Sequence, residues 1–192
     1  WRRENKGRAV LSTGKKGAFD ERSVLHPAVV RDETGRLHLW YNGVGPQQAF
    51  HVGYATSEDG LGWTRRNGGK AVLKPGKLEG RAEDYVYNVM VVREAGQFHM
   101  WYSSAIGLKM NRHTPRSNAI VYASSRDGVH WERDRQAVMY NGKRGSIDEY
   151  SAFACYVVRR PEGFCMYYSA GHLVKARDPR RFRTSLAIHR FR

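Results

Sequence analysis

Three acidic pairs stand at matched places in the chain: Asp20-Glu21, Glu83-Asp84 and Asp148-Glu149. Glu21, Glu83 and Glu149 each lie 10 residues before an arginine, at Arg31, Arg93 and Arg159. Carboxylates converging from separate segments can do general acid–base work. One gives a proton to a leaving oxygen while another activates water or attacks. Asp20, Glu83, Asp84 and Glu149 form the candidate catalytic set. Tyr85, Asn88 and Tyr150 share the same stretches and are candidate substrate contacts, with His26 at the head of an apolar run. Two further stretches add cations. "SAIGLKMNRHTPRSNA" carries Arg112 and His113 among its basic residues and no acid, and "SAGHLVKARDPRRFRTS" carries His172 and a cluster of arginines. Guanidinium groups gathered in this way suit carboxylate, sulfate or phosphate.

The whole chain leans the same way. It has 33 Lys+Arg against 18 Asp+Glu, a formal +15, which favours an acidic partner or substrate. With 192 residues it is long enough for one domain with a real core. It has no apolar run of the length a membrane helix needs, so no membrane partner is expected. Its histidines show no ligand spacing and its two cysteines no zinc pattern, so no metal or cofactor is expected. The compartment stays open. If Arg160–Gly163 is a hairpin turn, paired positions place Cys165 opposite Val158 and Cys155 opposite Tyr168, and both thiols are buried and unbridged.

The positioning elements come from a repeat. Before each anchoring arginine runs an apolar stretch, "HPAVVR", "NVMVVR" and "ACYVVR". A Gly turn follows, then a strand with paired aromatics: "LHLWYNG", "FHMWYSS" and "FCMYYSA". A third strand comes after a variable loop. The arginines are spaced by 62 and 66 residues. Trp1, Trp63 and Trp131 are spaced by 62 and 68, each opening a polar stretch that ends in a Gly bend ("LSTG", "LKPG", "MYNG"). Four short strands repeated at a fixed period predict an all-β fold built from the four-stranded antiparallel blades of a β-propeller. The expected division is 1–16 as the last strand of one blade, 17–78 and 79–145 as whole blades, and 146–192 as a partial one. About three blades are covered, and the rest of the ring is expected from further chain or an oligomeric partner.

The phrase Ser-x-Asp-Gly-x-x-Trp occurs twice, at Ser57–Trp63 and Ser125–Trp131. Gly accepts positive φ and Asp bonds its own backbone, so the phrase predicts a tight corner between third and fourth strands, with the Trp packed between blades. Up-and-down strand order puts these corners on one face. The acids and the variable loops fall on the other, where function is expected.

The combination of "P-x-V-V", the paired aromatics and "G-Y-A-T-S-x-D-G-x-x-W" resembles the five-bladed propeller glycoside hydrolases, the broad arabinanase, levansucrase, invertase and mannoside-phosphorylase group. The resemblance implies a five-bladed ring and a glycoside hydrolase or phosphorylase working through paired carboxylates on a polar glycan, an anionic one fitting the charge. It also implies carboxylates at, or one before, the residue preceding the Pro of the first strand. Here those places hold Leu25-His26, Tyr87-Asn88 and Phe153-Ala154, none of them acidic. The other reading is a propeller without catalytic acids, a basic scaffold that binds RNA or another polyanion. Salt separates the two, because polyanion binding weakens steeply through counterion release.

Overall fold

The computed structural model describes residues 1–106, 117–172 and 181–190. The first sheet takes β1 (Ser23–Arg31), β2 (Leu37–Val44), β3 (Phe50–Ser57) and β4 (Thr64–Arg65) in sequence order. The second contains β5 (Lys77–Leu78), β6 (Arg81–Glu94), β7 (Gln97–Ile106), β8 (Ser117–Ser125), β9 (Glu132–Arg133) and β10 (Met139–Tyr140). Its order is β10-β8-β7-β6-β5, with β9 also on β8. The third pairs β11 (Ser151–Arg160), β12 (Gly163–His172) and β13 (Arg181–Arg190). All pairings are antiparallel, and the described residues contain no α-helix.

Three details depart from the expected plan. The fourth strands of the first two units are only two residues long. Residues 1–16 make no strand; they carry a 3-10 turn at Asn5–Gly7. Its counterpart lies 62 residues on, at Asn67–Gly69. In both, the Asn side chain reaches forward to two carbonyls, Arg8 and Ala9 or Lys70 and Ala71. The period is therefore real there, but it specifies a turn. Finally, Leu78 pairs with Arg81, so β5 belongs to the second sheet.

The two Ser-x-Asp-Gly-x-x-Trp phrases form the same corner. Ser57 Oγ and Ser125 Oγ each accept the Gly N–H at 2.9 Å. Asp59 and Asp127 each accept two backbone N–H groups at 2.8 Å. Each Trp indole donates to its own Gly carbonyl. The second corner also holds two sheets together. Trp40 of β2, fully buried, donates its indole N–H to the Gly128 carbonyl at 3.0 Å. Trp131 meets Trp40 edge-on with ring centroids 5.8 Å apart. Gly128 O thus accepts indoles from two units. Trp131 and Trp63 are partly buried, and Trp63 packs on the outer side of the first sheet with Leu39, Tyr41 and Ala55.

The arginine anchors bridge the units on the same side. Arg93 pairs with Glu33, and Arg159 with Glu94 at 3.0 Å. One core lies between the first and second sheets and another between the second and third. Around Trp40 gather His38, Tyr54 and Phe98; around Trp101 gather His99, Tyr122 and Phe164. The match stops at the corner. Ser57 faces Leu37, Ser125 faces Phe98, and the place facing Phe164 is taken by His189. The sequence goes on Arg190-Phe191-Arg192, without Asp-Gly. A cavity of about 560 Å3 is lined by Trp101, Tyr122 and Phe164.

Cys165 faces Val158 as the hairpin register requires, but the β11–β12 ladder slips between Phe153 and Tyr156, so Cys155 falls in the bulge. Both thiols are free and buried, and burial pushes Cys155 up to about 12.

Candidate functional site

The carboxylates do not converge. Asp20 is buried and accepts the Tyr41 hydroxyl at 3.0 Å and Arg65 Nε at 3.0 Å. Glu83 is buried and accepts the Tyr102 hydroxyl at 3.3 Å, the Gly76 N–H at 2.9 Å and the Arg133 guanidinium. Asp148 accepts the Tyr168 hydroxyl at 3.0 Å and Ser146 Oγ at 2.7 Å. Burial, then the neighbouring carboxylate, raise the Tyr41 and Tyr102 phenols, so both remain donors. Asp20, Glu83 and Asp148 are therefore equivalents, each tied to a Tyr of its own second strand, and the first two also to an Arg of the fourth.

The Gly bends make room for them. A methyl group on Gly14 or Gly142 would lie 2.1 Å from Oδ1 of Asp20 or Asp148. Glu21 and Glu149 form a second equivalent pair, each accepting a turn N–H, from Gly17 and Gly145. Counting ten residues back from arginine had matched Glu83 to Glu21 and Glu149. Their places differ because the second unit runs in as one long strand, β6, with a slip between Glu83 and Tyr85. Asp84 lies at that slip and is partly exposed.

What does converge is aromatic. A cavity of about 260 Å3 is lined by His26, Phe50, Tyr85, Tyr87, Tyr150, Phe153 and Phe182, with Ala105, Asn118 and Ser151. Phe50 meets Tyr85 edge-on at 5.4 Å, and Phe153 meets Phe182 edge-on at 5.7 Å. Tyr87 donates its hydroxyl to Asn118 Oδ1 at 3.3 Å. These residues come from the starts of first and third strands and the end of a second, the face opposite the Asp-Gly corners. No carboxylate is among the described residues of this lining. Among the candidates, His26, Tyr85 and Tyr150 meet here, while Asp20, Glu83, Asp84 and Glu149 do not. Arg112 and His113 lie outside the described residues, as does the side chain of His172. Among the described residues no His, Cys, Asp and Glu cluster is arranged to hold a metal.

Phe50, Phe153, Phe182 and Asn118 were not singled out by sequence. Their signal was position: each lies within four residues of a first- or third-strand start. The first strands carry a repeated bulge, between Leu25 and Ala28, Tyr87 and Met90, and Phe153 and Tyr156. His26, Asn88 and Ala154 all have φ near +50°. Asn88 uses its backbone N–H on Asn42 Oδ1 (2.9 Å), and Ala154 uses its own on Ser103 Oγ (2.9 Å). Left-handed backbone suits Asn or Gly but strains Ala. Ala154→Gly is therefore expected to raise stability by about 0.5–1 kcal/mol, read as a higher urea midpoint with unchanged slope. A lower midpoint would mean that the bulge is not strained.

No protein-family model matches the chain. A search of curated proteins finds "Uncharacterized protein Rv1502" of Mycobacterium tuberculosis (strain ATCC 25618 / H37Rv), 32% identical over 166 residues, covering 84% of this chain and 52% of that protein. The chain spans about half the length of the curated relatives it matches. Among solved structures, the family 117 glycoside hydrolase Zg3597 of Zobellia galactanivorans superposes with a TM-score of 0.70 at 16% identity, over 93% of this chain and 56% of that one. The GH32 β-fructofuranosidase BmSUC1 of Bombyx mori gives a TM-score of 0.57 at 14% identity, over 83% and 33%. At these identities the likeness is one of fold, and the chain shares its fold with propeller-type glycoside hydrolases.

Proposed function

We propose that this chain forms the sugar-binding wall of a carbohydrate-active propeller, of glycoside hydrolase or phosphorylase type. The observation that carries the reading is the aromatic cavity, because rings presented from three successive units suit the apolar faces of a pyranose or furanose. The shared fold supports it. Within this reading Asp20 and Glu83 tie a second-strand Tyr to a fourth-strand Arg and do not touch substrate. Asp84, next to the cavity residue Tyr85, is the retained candidate for acid–base work. The remaining carboxylate comes from the part of the ring beyond this chain.

The test is calorimetric binding of neutral and acidic oligosaccharides to wild type, Tyr85→Ala and Phe50→Ala. Each substitution is expected to weaken the best ligand at least about tenfold, or 1.4 kcal/mol, with folding retained. If no glycan binds while polyphosphate binds with a steep salt dependence, the basic-scaffold reading replaces this one.

A further inference from the structure

Asn42 stands behind the cavity wall, and nothing in the sequence marked it. It is fully buried in β2. Its Nδ2 lies 2.9 Å from the Val86 carbonyl and 3.3 Å from the His51 carbonyl. Carbonyls only accept, so these contacts fix which end of the amide is nitrogen. Its Oδ1 accepts the Asn88 N–H and lies 3.1 Å from Nδ1 of His26. An amide oxygen has no proton to give, so the proton in that contact belongs to Nδ1. The neutral imidazole then carries its lone pair on Nε2. His26 is exposed, lines the cavity, and stacks on Phe50 with centroids 6.4 Å apart and planes 13° apart. The next unit repeats the support without the imidazole, since Ser103 holds the bulge at Ala154.

We propose that His26 accepts a hydrogen bond at Nε2 from a hydroxyl of the bound sugar, with Asn42 as its positioning residue. The proposal rests on the carbohydrate reading above and narrows it. A neutral imidazole with its proton turned inward offers a lone pair, which a hydroxyl matches and an ionised carboxylate does not. The sugar seated against Phe50 is thus neutral at this point, and any anionic group lies elsewhere on the ligand.

The experiment is a long-range 1H–15N spectrum of the labelled 192-residue chain, taken above the imidazole range at about pH 8, with His26 assigned through His26→Gln. Wild type is expected to show His26 protonated on Nδ1 and bare on Nε2. Asn42→Ala is expected to return the ring to the Nε2–H form that a free imidazole prefers. Glycerol, the smallest vicinal diol, should shift the His26 Nε2 resonance beyond the response of solvent-exposed His130, and acetate should not. An Nε2–H ring in wild type overturns the proposal whatever glycans bind, and needs no variant to fold. The expected tautomer without a glycerol response overturns the acceptor role. The expected tautomer and response, beside a glycan panel in which nothing binds, would instead count against the carbohydrate reading.

Discussion

Gly128→Ala is expected to cost about 3 kcal/mol, and Gly60→Ala only about 1 kcal/mol, although both glycines hold the same place in the same phrase. The shared part is backbone strain, since φ is +78° at Gly128 and +77° at Gly60. An alanine there is disfavoured by roughly 1 kcal/mol. The difference lies in what the new methyl meets. At Gly128 it would lie 2.9 Å from Cζ2 of Trp40 and 3.1 Å from Cζ of Tyr54, two rings that are buried and cannot yield. At Gly60 it meets only Cδ1 of Leu37 at 3.3 Å, the end of a flexible side chain. Urea unfolding of both variants gives the comparison. Equal losses would mean that the second corner is not what joins the first two sheets.

Glu83→Leu is expected to destabilise by about 3–5 kcal/mol, the usual cost of removing one partner of a buried ion pair. Arg133 would keep its charge with its side chain only 22% exposed and lose its carboxylate, and Tyr102 and the Gly76 N–H would lose an acceptor. Adding Arg133→Met should recover much of the loss, because the stranded charge goes too. Glycan affinity per folded molecule should not change in the double variant. A catalytic or ligand-holding Glu83 would give the opposite pattern, near-normal stability with binding or turnover lost. Asp20→Asn, which disturbs the matching contacts to Tyr41 and Arg65, should likewise be read in stability.

The architecture was legible because the repeat is written in residues with strict conformational demands. Asp-Gly corners, a Trp at fixed distance and aromatic pairs on second strands have few alternative uses, and they led to an all-β fold of antiparallel strand pairs. The short fourth strands were not legible. A polar stretch after Trp reads equally as strand or turn, and Asn67 settles it by reaching its own downstream carbonyls. The acids misled for a related reason. Their matched spacing was real, but equivalent repetition marks what every unit of a repeated fold needs, and each unit here uses an acid to hold the Tyr of its second strand. Residues such as Phe50, Phe182 and Asn42 escaped notice because they differ from unit to unit. The cavity wall is built from that variation. His26 stands where Asn88 and Ala154 stand in the next two units, and only the first of these is an imidazole.

The Gly128 carbonyl bears on how the molecule breathes. One acceptor takes an indole N–H from Trp40 of the first unit and another from Trp131 of the second. Opening either unit alone would strand a buried donor, so the first two sheets should open as one cooperative unit. Amide exchange is expected to reach the same slowest rate in β3 and β8, and Gly128→Ala should raise both rates together. Independent rates in the two strands would show that the shared acceptor does not couple the sheets.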